Sequence, residues 1–182
     1  NLRAIPNMTV IRPADANETA EAWRVALKLG TPVCLILTRQ KLSLIDRSKY
    51  AAASNVARGA YVLADIRGGE PEVVLMASGS EVGIILAAQD TLAQQGIRAR
   101  TVSVPSMELF AQQDQAYRDS VLPPGIKRIS VEAAQPMSWY KWLGEGGVAI
   151  GLDHFGASAP YQELYKAFHL TPENVVLTAK SL

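Results

Sequence analysis

The chain has 182 residues, with 18 Lys and Arg against 17 Asp and Glu, a formal charge of +1. Apolar residues at 48% and charged residues at 19% exclude a disordered or collagen-like polymer. The longest apolar runs fall short of a membrane span, and one cysteine excludes both an internal disulfide and a Cys-rich metal cage.

The length fits one large or two small domains. Residues 1–59 carry nine Lys and Arg against four Asp and Glu; residues 60–182 carry nine against thirteen. The two parts therefore differ in sign, +5 and −4, which either is chance clustering on solvated faces or marks different tasks. The start, Asn1-Leu2-Arg3-Ala4-Ile5-Pro6, has no apolar secretory segment and no Met, and reads as a piece of something longer. The lone Cys34 favours a reducing, cytoplasmic compartment.

Residues 8–12 form a short apolar run ended by Pro13, the pattern of a buried strand. Asp15 and Glu18 have capping-box spacing, each able to satisfy a backbone N–H at a helix start. Ala20, Trp23, Ala26 and Leu27 follow at helical spacing and define the expected inward face, with Gly30 closing the helix. Residues 33–38 read as a continuous apolar strand of the kind a parallel sheet covers on both faces, with Cys34 as a buried small hydrophobe. This βαβ unit is incomplete, since two strands and one helix cannot cover a parallel sheet. From 40 to 59 the periodicity fails, and the stretch reads as a linker.

A second α/β pattern runs over 60–182. Strands are predicted at 60–64 and 72–77, joined hairpin-fashion through 68–71, so that the first is an antiparallel edge. A helix follows with Val82, Ile85, Leu86, Gln89 and Leu92 on one side, ending at Gly96. Strands at 99–104, 128–131 and 148–151 alternate with helical material around 109–121, at 139–143, at 160–168 and at 172–180. The fold class is α/β, an open and mostly parallel sheet with helices on both faces, preceded by a partial βαβ unit.

Arg39 stands at the carboxyl end of the 33–38 strand, where open α/β sheets place ligands. A guanidinium there can hold a phosphate through paired charge-assisted hydrogen bonds, although a surface arginine at a strand end fits the same position. Ser78, Gly79 and Ser80, followed by Glu81, form a strand–turn–helix start whose N–H groups could receive an anion. They lack a full G-x-G-x-x-G or a P-loop lysine, and a capped helix after a tight turn explains the same residues. His154 and His169 have no metal-ligand spacing, so no metal site is predicted. Trp139, Tyr140 and Trp142 form an aromatic cluster suited to core packing or to an interface anchor. No basic stripe with interleaved aromatics points to nucleic acid, and no amphipathic basic helix points to a membrane surface.

These residues resemble a known family. Ile5-Pro6-Asn7-Met8-Thr9-Val10-Ile11-Arg12-Pro13-Ala14-Asp15-Ala16-Asn17-Glu18-Thr19 and Leu37-Thr38-Arg39-Gln40 are similar to the end of the pyrimidine-binding domain of transketolases. Ala77-Ser78-Gly79-Ser80-Glu81-Val82, Ser103-Val104-Pro105-Ser106, Val131-Glu132-Ala133 and Gly151-Leu152-Asp153-His154-Phe155-Gly156-Ala157-Ser158-Ala159-Pro160 are similar to their C-terminal domain. One departure is His169, where the family usually has glycine.

The resemblance implies residues 1–39 as the end of the pyrimidine-binding domain, 40–59 as linker and 60–182 as the C-terminal domain. It implies a thiamine-diphosphate and Mg²⁺ enzyme that moves a two-carbon ketol unit from a ketose phosphate to an aldose phosphate, acting as a homodimer with active sites at the subunit interface. Arg39 matches the arginine that grips the substrate phosphate. The Gly-Asp-Gly motif that holds metal and diphosphate is not in this sequence, so the chain resembles a C-terminal fragment, not catalytic alone and holding no cofactor. Two other readings stay open: a regulatory module taking an anion or nucleotide at the 78–81 turn, and a pure dimerisation element.

Overall fold

Short apolar runs alternating with capped helices dictate two α/β units, and the computed structural model contains both. It describes residues 1–65 and 69–182. In the first unit β1 (Thr9–Ile11) and β2 (Val33–Leu35) pair in parallel, Val10 opposite Cys34, with α1 (Ala16–Leu29) as the crossover. Asp15 caps α1 by accepting from the Glu18 N–H at 2.8 Å, and Gly30 closes it at φ 63°. Glu18 reaches one residue beyond the capping-box position, accepting from the Ala14 N–H at 2.8 Å.

Two expectations about this unit are corrected. The second strand ends at Leu35 and is half-buried throughout, Cys34 included, because β1 is its one strand neighbour among the described residues. The predicted inward face of α1 points outward: Trp23 is 54% and Leu27 81% exposed, whereas Glu18 and Ala22 are fully buried. The helix packs on a 3-10 helix at Ala53–Arg58, and the partners of Glu18 decide which side faces in.

The 40–59 stretch contains that 3-10 helix and is fastened at several points. The Ile45 N–H donates to Asp15 at 3.0 Å, the Ala51 N–H to the Leu63 carbonyl at 3.0 Å, and Val56 is fully buried. At Gly59, with φ 81°, a Cβ would lie 2.2 Å from the Phe110 nitrogen and 2.4 Å from the Ser106 oxygen, so glycine lets the chain pass.

The second unit is built on β3 (Tyr61–Ala64), β4 (Val73–Ala77), β5 (Ala99–Ser103), β6 (Lys127–Val131) and β7 (Val148–Ile150), in the spatial order β3-β5-β4-β6-β7. All neighbours are parallel except β3, which is antiparallel to β5. The open, mostly parallel sheet is therefore the expected architecture, with an antiparallel edge. The partner of that edge differs: β5 lies between β3 and β4, so these two are not a hairpin. Residue 68 of the predicted 68–71 connection lies outside the described residues.

β4 is buried at every position, as a central parallel strand covered on both faces should be. Val73, Leu75 and Ala77 meet Ile85 and Leu92 of α2 (Val82–Gln94) together with Val175 and Val176 of α7 (Pro172–Lys180). Val74 and Met76 face the other side, with Phe110 of α3 (Met107–Ala111), Val121 of α4 (Gln115–Val121) and Trp142 of α5 (Tyr140–Leu143). Trp139 and Trp142 are buried there, which makes this pair core; Tyr140 is exposed. The helical material at 109–121 splits because Asp114 starts a new helix, accepting from the Tyr117 N–H at 2.7 Å.

His154 is exposed, its ring edge-on to Phe168 at 5.0 Å. His169, just past α6 (Tyr161–Ala167), sits at φ 56°, a conformation that disfavours any Cβ. His169→Gly is expected to stabilise the chain by about 0.5–1 kcal/mol, the relief of left-handed strain less the added freedom of the unfolded chain. Urea unfolding of the two forms checks this.

Candidate functional site at the junction of the two units

The strand order reverses beside β4: the chain goes from β4 to β5 on one side, then to β6 on the other. The crevice outside the carboxyl ends of β4 and β6 is the topological switch point, where open sheets take their ligands. Ser78 leaves β4 there and Glu132 leaves β6. Into this crevice the first unit sends Arg12 from the end of β1. Its N–H donates to the Pro105 carbonyl at 2.8 Å, and its own carbonyl accepts from the Gly79 N–H at 3.0 Å.

The Arg12 guanidinium donates to the Ser78 carbonyl at 2.6 Å, to the Ser78 hydroxyl at 3.1 Å and to the Glu81 carboxylate. Glu81 also accepts from Tyr165 of α6 and, at 2.7 Å, from the Ser80 hydroxyl. Beside it Glu132 takes a forked pair of bonds from Arg3, at 2.7 and 2.9 Å, one from the Trp139 indole at 2.7 Å and one from the Ser78 hydroxyl at 2.8 Å. Burial alone would push the Glu132 carboxyl up; Arg3, the charge of Arg12 and Ser78 outweigh it and hold it below the ordinary glutamate value. Burial likewise works against the Arg12 charge, and Glu81 and Glu132 more than restore it.

A second polar centre joins the units at the N-terminus of α1. Glu18, fully buried, accepts from the Tyr61 hydroxyl at 2.5 Å and the Ser103 hydroxyl at 2.8 Å, besides the Ala14 N–H. Arg47 pairs with Asp15 at 3.2 Å and lies 3.9 Å from Glu18. Burial dominates here and raises the Glu18 carboxyl above its ordinary value, despite those hydrogen bonds. The same burial, with the Glu18 charge beside it, raises the Tyr61 phenol.

Arg39 lies four residues past β2, exposed to solvent, and makes no hydrogen bond or ion pair among the described residues. Ser78, Gly79 and Ser80 are not near it in function: they wrap the Arg12 guanidinium. A cleft of about 750 Å³ opens beside the network, lined by Arg3, Arg12, Ile36, Glu132, Gln135 and Ser138, and Arg39 does not line it. Sequence reasoning missed Arg3, Arg12, Glu132, Tyr165 and the Glu18–Arg47 pair as a connected set. The available signal was a charged residue immediately after each of two apolar strands, Arg12 after β1 and Glu132 after β6.

A doubly wound α/β unit docked through its switch-point crevice onto a two-stranded βαβ unit is the architecture of an α/β protein with more than one unit. Residues 59–171 match the family described as the transketolase-like TK C-terminal domain, and residues 1–43 match the transketolase pyrimidine-binding domain. The chain belongs to the transketolase family. It is 50% identical over 177 residues to the transketolase of Aquifex aeolicus, an alignment that takes in 96% of this chain and 26% of that protein. The solved transketolase of Leishmania mexicana superposes with a TM-score of 0.91 at 41% identity, over 100% of this chain and 26% of that one. A transketolase of Pichia stipitis in complex with sedoheptulose-7-phosphate gives 0.88 at 37% identity, over 98% of this chain and 25% of that one. The chain thus spans about a quarter of the length of the relatives it matches.

Among the described residues no three His, Cys, Asp or Glu side chains come together as metal ligands, and Glu18, Glu81 and Glu132 are each committed to protein partners. Among the same residues no helix is long and apolar enough to cross a membrane.

Proposed function

We propose that this chain is the C-terminal part of a transketolase which transfers a two-carbon ketol unit from a ketose phosphate to an aldose phosphate. The observation that carries the reading is the continuous match, through both units and in the family's order, to transketolase domains. The substrate class is supported by the Pichia stipitis relative, solved with a ketose phosphate. Thiamine diphosphate with Mg²⁺ supplies the carbon–carbon chemistry in the full-length enzyme, and its binding belongs to other parts of that protein.

Within this chain Arg39 is the substrate-phosphate ligand, a cation without a partner among the described residues and one short loop past a parallel strand. Residues 1–39 close the pyrimidine-binding domain, 40–59 connect, and 60–182 form the C-terminal domain. The last of these acts as a scaffold that supports the homodimer, in the cytoplasm, where the single free cysteine stays reduced. The test is a ketol-transfer assay with thiamine diphosphate, Mg²⁺, a ketose phosphate and an aldose phosphate. The full-length protein is expected to turn over and the 182-residue chain to show none. Turnover by the 182-residue chain, or none by the full-length protein, would overturn the reading.

A further inference from the structure

The switch-point crevice of an open parallel sheet is where such a domain holds its ligand, and here it is filled from within the chain. The occupant is the Arg12 guanidinium. Nη1 carries the hydrogen bonds, to the Ser78 carbonyl, the Ser78 hydroxyl and Glu81, and Nη2 faces the Ser80 hydroxyl at 3.5 Å. Glu132 adds a second negative charge 3.6 Å from Nη1. The Glu81 side chain is fully buried, and Arg12 is its one ion-pair partner among the described residues; its other contacts are the hydroxyls of Ser80 and Tyr165. Glu132, by contrast, has Arg3 as a partner of its own.

The backbone is shaped to the same occupant. Gly79 has φ 57°, and a Cβ there would fall 2.7 Å from the Arg12 Cζ and 2.8 Å from its Nε and Nη1. A side chain at position 79 would have to displace the guanidinium from where it lies, besides straining a left-handed backbone. The polar contacts concentrate on Nη1, while the rest of the guanidinium lies against Gly79 and beside Ser80; an ammonium could meet the acceptors at Nη1 but would leave the remaining space unfilled.

We propose that the carboxyl-end crevice of the C-terminal unit, formed by Ser78, Gly79, Ser80, Glu81 and Glu132, is a guanidinium-binding site whose resident ligand is Arg12. The second unit thereby receives the first as a receptor receives a ligand, in the position where other doubly wound domains take a nucleotide or a phosphate. Emptying the site leaves a buried carboxylate with hydroxyl partners only and a hole of guanidinium shape, which a small guanidinium can refill. This inference does not depend on the ketol-transfer reading, because its readout is binding and not turnover.

The experiment is thermal unfolding of the Arg12→Ala chain with methylguanidinium at roughly tens of millimolar, against methylammonium and NaCl at matched ionic strength. Arg12→Ala is expected to melt below the wild type, and to regain about 2–4 °C in a saturable way with methylguanidinium alone. The wild type, its crevice already occupied, is expected not to respond. Equal shifts in both proteins, or an equal shift with methylammonium, would overturn the proposal. If Arg12→Ala does not fold, Arg12→Lys decides: it keeps the charge and loses the planar group that fills the space beside Gly79, and should melt several degrees below the wild type. Wild-type melting of Arg12→Lys would show that the crevice reads charge alone and would overturn the proposal.

Discussion

Glu132→Ala is expected to lower the stability of the chain by about 3–5 kcal/mol, a fall in Tm of roughly 10 °C for a protein of this size. Three donors lose their acceptor at once: the forked Arg3 guanidinium, the Trp139 indole and the Ser78 hydroxyl. Trp139 is 1% exposed, so water cannot replace the carboxylate at its N–H. Arg12 also loses one of the two carboxylates that offset its own burial. Glu132→Gln should cost less, since an amide oxygen keeps one acceptor in place, but it cannot neutralise Arg3.

The pH dependence has a defined sign. The folded state holds the Glu132 carboxyl below its ordinary value, so its contribution is complete above the usual glutamate pKa of about 4.3 and is lost as the pH falls through the depressed folded value. Glu18 runs the other way: burial raises it, so folding favours its protonated form and its contribution diminishes as pH rises from the ordinary to the raised value. Urea unfolding of wild type and Glu132→Gln between about pH 3 and pH 7 separates the two. The acid-side loss should shrink in the variant; an unchanged slope would mean that Glu132 is not the group responsible.

The charge division seen in the composition acquires a structural meaning at this junction. Arg3 and Arg12, from the basic part, meet Glu132 and Glu81, from the acidic part, and both pairs are withdrawn from water. Buried ion pairs of this kind seldom stabilise more than well-packed apolar side chains of similar volume would. What they add is discrimination, because a slipped or rotated docking would strand a buried charge. The hydroxyls around them reinforce this: Ser78 touches both centres, and Tyr165 ties α6 to the same point.

Most strands, the caps of α1 and most helix limits were legible in the sequence because each is set by residues close along the chain. Asp15 accepts from a backbone N–H three positions on, and Gly30 needs nothing beyond its own φ. The orientation of α1 was not legible. Helical periodicity marks Trp23 and Leu27 as inward, but Glu18 is held by Ser103, 85 positions away, and by Tyr61, 43 away. Three hydrogen bonds to a buried carboxylate fix the rotation of the helix, and periodicity carries no information about them. The misplaced hairpin has a similar origin. Proximity in sequence suggested that β3 pairs with β4, whereas β4, apolar at all five positions, requires parallel neighbours on both sides and takes β5 and β6. The junction network combines both difficulties, since Arg12 and Ser78 are 66 positions apart and the local turn pattern at Ser78 pointed to an anion and not to an arginine.

Arg39→Ala, made in the full-length enzyme, is expected to raise KM for phosphorylated substrates roughly 10- to 150-fold, with kcat little changed. The figure follows from losing one charge-assisted contact of about 1.5–3 kcal/mol to a group that does not react. A phosphate held equally in ground and transition states contributes uniform binding, which appears in KM and not in kcat. The structure makes Arg39 suitable for that task in two ways. It is exposed and free of protein partners among the described residues, so no internal bond has to break when a phosphate arrives. It also follows β2 closely, and the Ile36 N–H is bonded to the Ile11 carbonyl at 2.9 Å, one residue before the anchored Arg12, so the loop root is fixed. Two controls isolate the phosphate. Substrates lacking it should show the same KM with either protein, and Arg39→Lys should recover part of the loss, since a lysine restores the charge but not the forked geometry. A KM that rises equally for phosphorylated and unphosphorylated substrates would place Arg39 at another part of the sugar, and an unchanged KM would make it a solvent-facing arginine with no part in binding.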